Sequence, residues 1–474
     1  MSDLRNRPNI LLIMSDEHAP MYSGTYGHPL VQTPNMDQDQ LAEQGFVFTN
    51  AYCNSPLCGP SRMSFMTGRY VHQIGTWDNA SPLASDQVTW AHRLGAIGYD
   101  VVLSGKQHFC GPDQFHGFRQ QLARDLHAEL WTKDNVPRNA PDWTKGTPIA
   151  NQPWGGPQQA KPGTTLEIEV DDLVEKNAIA YLREPARKDR PWALNVSFIA
   201  PHFPLVVPKR FWDLYPLDRV DLPNIPPDHL ENQHLVHQRM RQMFGCIDFP
   251  EELVRRARAG YYGLITYLDE KIGRLLQTLR ETNQEENTII IYCSDHGEMN
   301  GEHGMWRKSS FYEASVRVPL QISWPGYLSA CDTIDQTVSL VDLIATIIDI
   351  VDAPSDGLDG DSFLPLMQGD NLQWKDNAFS EYLAHGVARP TAMLRQGGYK
   401  LHYSLGDQPQ LYDLAQDPNE FSDLGLVESH QGILQDLQRQ LLSGWNPWTI
   451  EQQVLKSQQD RQLIEYSYRQ MAGN

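Results

Sequence analysis

Five short clusters carry the side chains of this 474-residue chain that could do chemistry. Ser15-Asp16-Glu17 and Ser294-Asp295-His296 offer carboxylates and an imidazole, while Lys106-Gln107-His108 and Pro201-His202-Phe203-Pro204 add an ammonium and two more imidazoles. The fifth, Cys58-Gly59-Pro60-Ser61-Arg62, sets a thiol close to a guanidinium. Carboxylate oxygens suit a hard divalent cation, Ca2+, Mg2+ or Mn2+, and an imidazole beside them shifts the choice toward Mn2+. A histidine titrating near neutrality can move a proton, and a guanidinium can bridge several oxygens at once. Each residue alone has a plainer use. An Asp after a strand turns the chain or caps a helix, a lone histidine bonds backbone, and a lone cysteine packs.

Four of these clusters follow strand candidates. Asn9-Ile-Leu-Leu-Ile-Met14 and Thr288-Ile-Ile-Ile-Tyr-Cys293 are short apolar runs that end in acidic loops. Tyr99 to Ser104 and Trp192 to Ala200 are two more, each followed closely by its polar cluster. Short apolar runs bounded by polar loops read as buried strands, and in open α/β sheets ligand sites lie at the carboxyl ends of the strands. The amphipathic stretch from Tyr261 to Glu281 predicts a helix before the late strand, so strands and helices alternate as in a mostly parallel sheet covered on both faces. Trp131 to Gly163, rich in Pro, Gly and Trp without a period, predicts a long surface loop.

Beyond Leu366 the texture changes to short alternating runs, Thr391-Ala-Met-Leu-Arg395 and Tyr399-Lys-Leu-His-Tyr403, which predict a small antiparallel sheet. The chain is therefore divided into a catalytic domain, 1–370, and a C-terminal α+β subdomain, 371–474, that ends in a helix from Trp448 to Met471. The composition is that of an ordinary folded protein, 40% hydrophobic and 21% charged. A formal net charge of −20 opposes nucleic acid or an anionic membrane as partner, and an anionic substrate would need a locally positive pocket. The six cysteines lack the spacing of a zinc site or a disulfide framework, and Met1 to Pro8 precede no apolar signal region; both point to the cytoplasm.

The stretch Cys58-Gly-Pro-Ser-Arg-Met-Ser-Phe-Met-Thr-Gly-Arg69 resembles the signature of type I sulfatases of the alkaline phosphatase superfamily, whose C-x-P-x-R cysteine is oxidised to formylglycine by a formylglycine-generating enzyme. The resemblance covers nearly the whole chain. Its details are similar to choline sulfatase and its relatives in Leu103 to Phe118, Ser294 to Trp306, Pro409 to Pro418 and the tail from Trp448 to Arg461. It implies the large alkaline phosphatase-like sheet with a smaller C-terminal subdomain.

The resemblance also implies a set of roles. Residue 58 would be the nucleophile: its hydrated aldehyde carries two hydroxyls, one to attack sulfur and one whose deprotonation expels sulfate without a second attack. Asp16, Asp295 and His296 match metal-ligand positions, with Cys58 completing the set. Glu17 stands where many members have a second Asp, either reaching the cation or turning away. Lys106 and His108 match the element that binds sulfate and takes the second proton. His202 matches the histidine beside the leaving-group oxygen, and Lys308 the later sulfate-binding lysine. Arg62 would support formylglycine and the metal ligands. For a choline-like substrate, Trp131 would supply a cation–π face, Asn79 a polar neighbour and Glu381 a counter-charge. The terminal helix points to a homo-oligomer, dimer or tetramer. Two alternatives stay open: a phosphonate monoester or phosphodiester hydrolase using the same site, and a non-catalytic anion-binding protein.

Overall fold

The computed structural model describes residues 7–37, 45–126, 156–184, 190–247, 249–328, 332–370 and 373–471. The main sheet has eight strands, the inner ones built from apolar runs: β1 (Asn9–Asp16), β2 (Gly45–Phe48), β3 (Asp100–Gly105), β4 (Gln120–Gln121), β5 (Trp192–Pro201), β6 (Thr288–Ser294), β7 (Leu320–Ser323) and β8 (Asp332–Ile334). They make one sheet in the order β8-β2-β7-β6-β1-β5-β3-β4. The central four, β6-β1-β5-β3, pair in parallel, and β7 runs antiparallel to both of its neighbours. β3 and β5 are buried along their whole length and β1 along all but its first residue, which is why they read as continuous apolar runs rather than alternating ones. All four predicted strands are present, each within a residue or two of its expected ends.

Helices flank this sheet. The helix α1 (Cys58–Thr67) is buried at every position and packs on α4 (Leu340–Ile350). The helices α2 (Leu166–Arg183) and α3 (Glu251–Glu281) pack on each other and on β5. α3 begins ten residues before the expected Tyr261, because Glu251 and Glu252 suit the positive end of the helix dipole. The second sheet is an antiparallel meander of β9 (Asn377–Tyr382), β10 (Thr391–Gln396), β11 (Tyr399–Ser404) and β12 (Gln410–Asp413). It buries Leu394, Leu401 and Leu411 with Leu437 and Leu441 of α5 (Gln431–Gly444) and Ile450 and Val454 of α6 (Pro447–Met471). Val71 and Trp77, from just beyond α1, belong to this same apolar cluster. Most of the predicted loop from Trp131 lies outside the described residues, and among the described residues no helix is long and apolar enough to cross a membrane.

Two details fix the strand ends that matter below. Gly105, the last residue of β3, has φ +105°, and a Cβ there would collide with the carbonyl oxygen of Ser197 on β5. Asp171 of α2 is buried and accepts the backbone N–H groups of Ile199 and Ala200, both at 2.8 Å, pinning the end of β5. Burial pushes this carboxyl up to about 7, against those two N–H donors, which favour the ionised form.

Gly105→Ala is expected to lower unfolding free energy by roughly 2–4 kcal/mol, from left-handed strain plus overpacking, seen as a lower denaturant midpoint at unchanged slope. The raised carboxyl of Asp171 binds a proton in the folded state that it would lose in the unfolded chain. Its contribution to stability is therefore whole below about pH 4 and fades as pH rises through about 7. Stability measured against pH should fall across that window on account of this group, and Asp171→Asn should flatten that part of the curve.

Candidate active site

The carboxyl ends of β1, β5, β3 and β6 converge on the first turn of α1. Cys58 begins that helix behind Leu57, whose side chain cannot accept a capping hydrogen bond. Its Sγ lies 3.6 Å from Asp16 Oδ1 and 3.1 Å from His296 Nε2. One ligand atom from each of Asp16, Cys58, Asp295 and His296 fits within 4.8 Å of the others, and all four residues are buried. His296 donates from Nδ1 to the Gly297 carbonyl at 2.9 Å, which directs its Nε2 toward this cluster.

Arg62, one turn along α1, ties the strand ends together. Its Nε donates to Asp295 Oδ2 at 2.7 Å, and its Nη1 to the Lys106 carbonyl at 2.9 Å and Ser197 Oγ at 2.8 Å. Nη2 reaches the Ser15 carbonyl at 3.4 Å, and neighbouring Ser61 donates to the Asp295 carbonyl at 2.6 Å. Lys106 ion-pairs with Asp16, and Lys308 with Glu17 at 2.8 Å. His202, flanked by two cis X-Pro bonds, donates from Nδ1 to the Phe203 carbonyl at 2.7 Å and turns Nε2 toward Glu17 at 3.4 Å. His108 has φ +60° and hydrogen-bonds the Cys58 side chain.

These contacts set the local charge. Burial pushes the Cys58 thiol up, but Lys308, Lys106, His296 and the His108 hydrogen bond together hold it well below the ordinary thiol range. Burial and the nearby Cys58 raise Asp16, yet Lys106, His202 and Arg62 keep it ionised far into acid. Burial disfavours a charged His296, and Asp295 and Cys58 overcome that to push it up to about 9. Lys308 likewise keeps its charge despite burial, through Cys58, Glu17 and Asp16. Arg62, Lys106, His296 and Lys308 thus gather cationic groups around residue 58, each also facing a carboxylate.

Ten of the expected site residues, Asp16, Glu17, Cys58, Arg62, Lys106, His108, His202, Asp295, His296 and Lys308, come together here. Glu17 is placed outside the four-residue donor cluster: in a left-handed backbone conformation (φ 70°), its carboxylate faces Lys308 and His202. Asn79 lies beneath the nucleophile, its Oδ1 accepting the Gly59 N–H at 2.8 Å. Glu381 is buried, with one carboxylate oxygen accepting from the backbone N–H and Nδ1 of His72 and the other from Trp445 Nε1. Trp131 lies outside the described residues.

Sequence reasoning missed several supports. Asp125 Oδ2 accepts the N–H groups of Gln107 and His108, at 2.9 and 2.5 Å, and nothing local marks it. Ser197 is hidden inside an apolar strand. Glu298 was visible in the Ser294 to Trp306 segment but had no assigned role. It accepts the N–H groups of Asn300 and Arg307, at 2.8 and 2.7 Å, closing the loop that delivers Lys308.

The chain is similar to known proteins in sequence and in fold. The family model described as Sulfatase matches residues 8–353, and that described as N-sulphoglucosamine sulphohydrolase, C-terminal, matches residues 301–445. A choline-sulfatase of Rhizobium meliloti is 35% identical, covering 97% of this chain and 91% of its own. An arylsulfatase of Clostridium perfringens is 28% identical over 92% of this chain and 94% of its own. The crystal structure of a phosphonate monoester hydrolase of Agrobacterium radiobacter superposes with a TM-score of 0.76 at 26% identity, covering 92% of this chain and 95% of that one. With its alkaline phosphatase-like sheet, its site at the strand ends and a family match over most of its length, the chain belongs to the sulfatase family and is a sulfuric ester hydrolase.

Proposed function

We propose that the chain hydrolyses a small sulfate ester through residue 58, matured from cysteine to formylglycine, with one divalent cation held by Asp16, Asp295, His296 and residue 58. The observation that carries this reading is the convergence of those four donors within 4.8 Å, flanked by Lys106 and Lys308. The donor set suits a cation. Two carboxylates and a sulfur are crowded together, and Lys106 and a proton on His296 now balance a negative charge that Ca2+, Mg2+ or Mn2+ would balance instead. When bound, such an ion would neutralise sulfate oxygens and ease ionisation of the attacking hydroxyl.

The chain's own residues do the rest. Lys106 and Lys308 bind sulfate oxygens, and Arg62 keeps Asp295 and the strand ends in place. A hydroxyl of the residue 58 hydrate, ionised with its proton released to solvent, bonds to sulfur as the bond from sulfur to the substrate's ester oxygen breaks, and His202 with Lys308 supplies the departing alcohol with a proton. His108 then takes the proton of the second hydroxyl, so that the C–O bond to sulfate breaks and the aldehyde returns. Glu17 orients Lys308 and His202 rather than binding the ion.

Choline sulfate or another small sulfate is the substrate class. The choline-sulfatase relative and an acidic body that attracts a small cation support it, with Asn79 as a polar neighbour of residue 58. A phosphonate monoester is the second reading, favoured by the structural likeness to a phosphonate monoester hydrolase. The reading further takes the protein as cytoplasmic, matured by a formylglycine-generating enzyme, assembled as a dimer or tetramer, and divided near residue 370.

Protein made beside the maturation enzyme should show, by mass spectrometry, a Cys58 peptide converted to the aldehyde, and should release sulfate from sulfate esters faster than it cleaves phosphonate esters. A thiol at residue 58 together with no sulfate release sinks the reading. Chelation should abolish turnover, and re-addition of Ca2+, Mg2+ and Mn2+ in turn identifies the ion. Lys308→Ala should lower kcat about 10²–10³-fold, the usual cost of one donor to a transition-state anion.

A further inference from the structure

The nucleophile's helix has an unusual start. The first turn of an α-helix leaves backbone N–H groups without intrahelical partners, and a side chain at the cap position ordinarily takes one of them. Leu57 cannot, so Asn79 reaches in from the 78–81 turn and accepts the Gly59 N–H at 2.8 Å. The approach is close enough that a Cβ on Gly59 would sit 3.0 Å from Asn79 Oδ1 and 3.1 Å from its Cα. Cys110 binds the same turn, its Sγ donating to the Asn79 carbonyl at 3.0 Å.

What holds this turn comes from the far end of the chain. Asp78 is buried, and its carboxylate shapes the turn by accepting the Ala80 N–H at 3.0 Å and the Ser81 hydroxyl at 2.9 Å. The same carboxylate receives both Nη groups of Arg461, at 2.9 and 2.7 Å, across 383 residues of sequence. Arg461 is itself buried, on the face of α6 that also carries Ile450 and Val454. Trp77, the neighbour of Asp78, packs in the same apolar cluster as those two residues. A fork-to-fork pair of this kind fixes both distance and plane, which a single charge contact does not.

We propose that Arg461 is a positioning residue for the nucleophile, holding Asp78, and through it Asn79, as a cap supplied from outside on the helix turn that bears residue 58. The C-terminal helix thereby becomes part of the machinery that aims the reacting group. This inference rests on the reading of residue 58 as nucleophile.

The test compares the parent, Arg461→Met and Arg461→Lys, each with the state of residue 58 checked by mass and rates normalised to converted, folded enzyme. Misplacing a reacting group by an ångström costs about a hundredfold, so Arg461→Met should lose roughly ten- to a hundredfold in kcat with KM changed by less than about threefold. Arg461→Lys, which keeps charge but not the fork, should fall between. Hydrogen exchange followed by mass spectrometry should speed up in the peptide spanning Gly59 to Ser64 in both variants. A role confined to stability would lower the melting temperature yet leave kcat per folded molecule and that exchange unchanged, and this outcome overturns the proposal. Should Arg461→Met fail to fold, Arg461→Lys decides alone: parental kcat and parental exchange overturn it. A parent that releases no sulfate refutes the functional reading instead, and the exchange measurement still judges the cap.

Discussion

A single guanidinium in the centre of the molecule holds its geometry. Arg62 is fully buried and bonds in four directions, to Ser15 at the end of β1, Lys106 after β3, Ser197 in β5 and Asp295 after β6. Those are the four neighbouring parallel strands whose ends form the site. A planar group with five donors can span them, whereas the single ammonium of lysine cannot. The placement of Asp16, Lys106 and Asp295 relative to one another depends on this one side chain as much as on the sheet. Breaking such a buried pair leaves uncompensated charge and costs about 3–5 kcal/mol.

Around Arg62 the charges alternate. Lys106 meets Asp16, Arg62 meets Asp295, and Lys308 meets Glu17, so each of these three carboxylates has a cation and each cation also faces Cys58 or its neighbours. The backbone is bent to achieve this. Glu17, His108, Arg307 and Ser309 all adopt positive φ although none is glycine, and all four flank the cluster. Strain of this sort persists only where the surrounding contacts over-determine it, and here carboxylate clamps from Asp125 and Glu298 do so.

Much of this was legible in the sequence because apolar runs and polar loops obey short-range rules. Asn9 to Met14 and Thr288 to Cys293 had to be buried strands, and the acidic residues behind them had to lie at one edge of the sheet. The register of Cys58, Pro60 and Arg62 then assigned a chemistry. What stayed hidden depends on long-range contact. Glu381 looks like an available charge in the sequence, and only the fold brings His72 and Trp445 onto its two oxygens. Glu17 could have faced either way, because its direction is set by Lys308, which lies at the far end of another loop. Asp125 accepts the backbone N–H groups of Gln107 and His108, and Ser197 accepts from the Arg62 guanidinium across 135 residues of sequence, so no local pattern marks either one.

The bond from Arg62 to Asp295 spans 233 residues, and that from Arg461 to Asp78 spans 383. Contacts so distant in sequence make folding slow, since the chain must close long loops before they are rewarded. During synthesis from the N-terminus, the nucleophile, its arginine and the first carboxylate emerge long before their partners. Arg62, Glu17 and Asp78 therefore spend that interval without Asp295, Lys308 and Arg461, and the strand edge of β1 waits for β6 in the same way. Until Lys308 and Arg461 have been made, the growing chain carries unpaired charge and an open strand edge, the features that favour trapping and aggregation in large proteins.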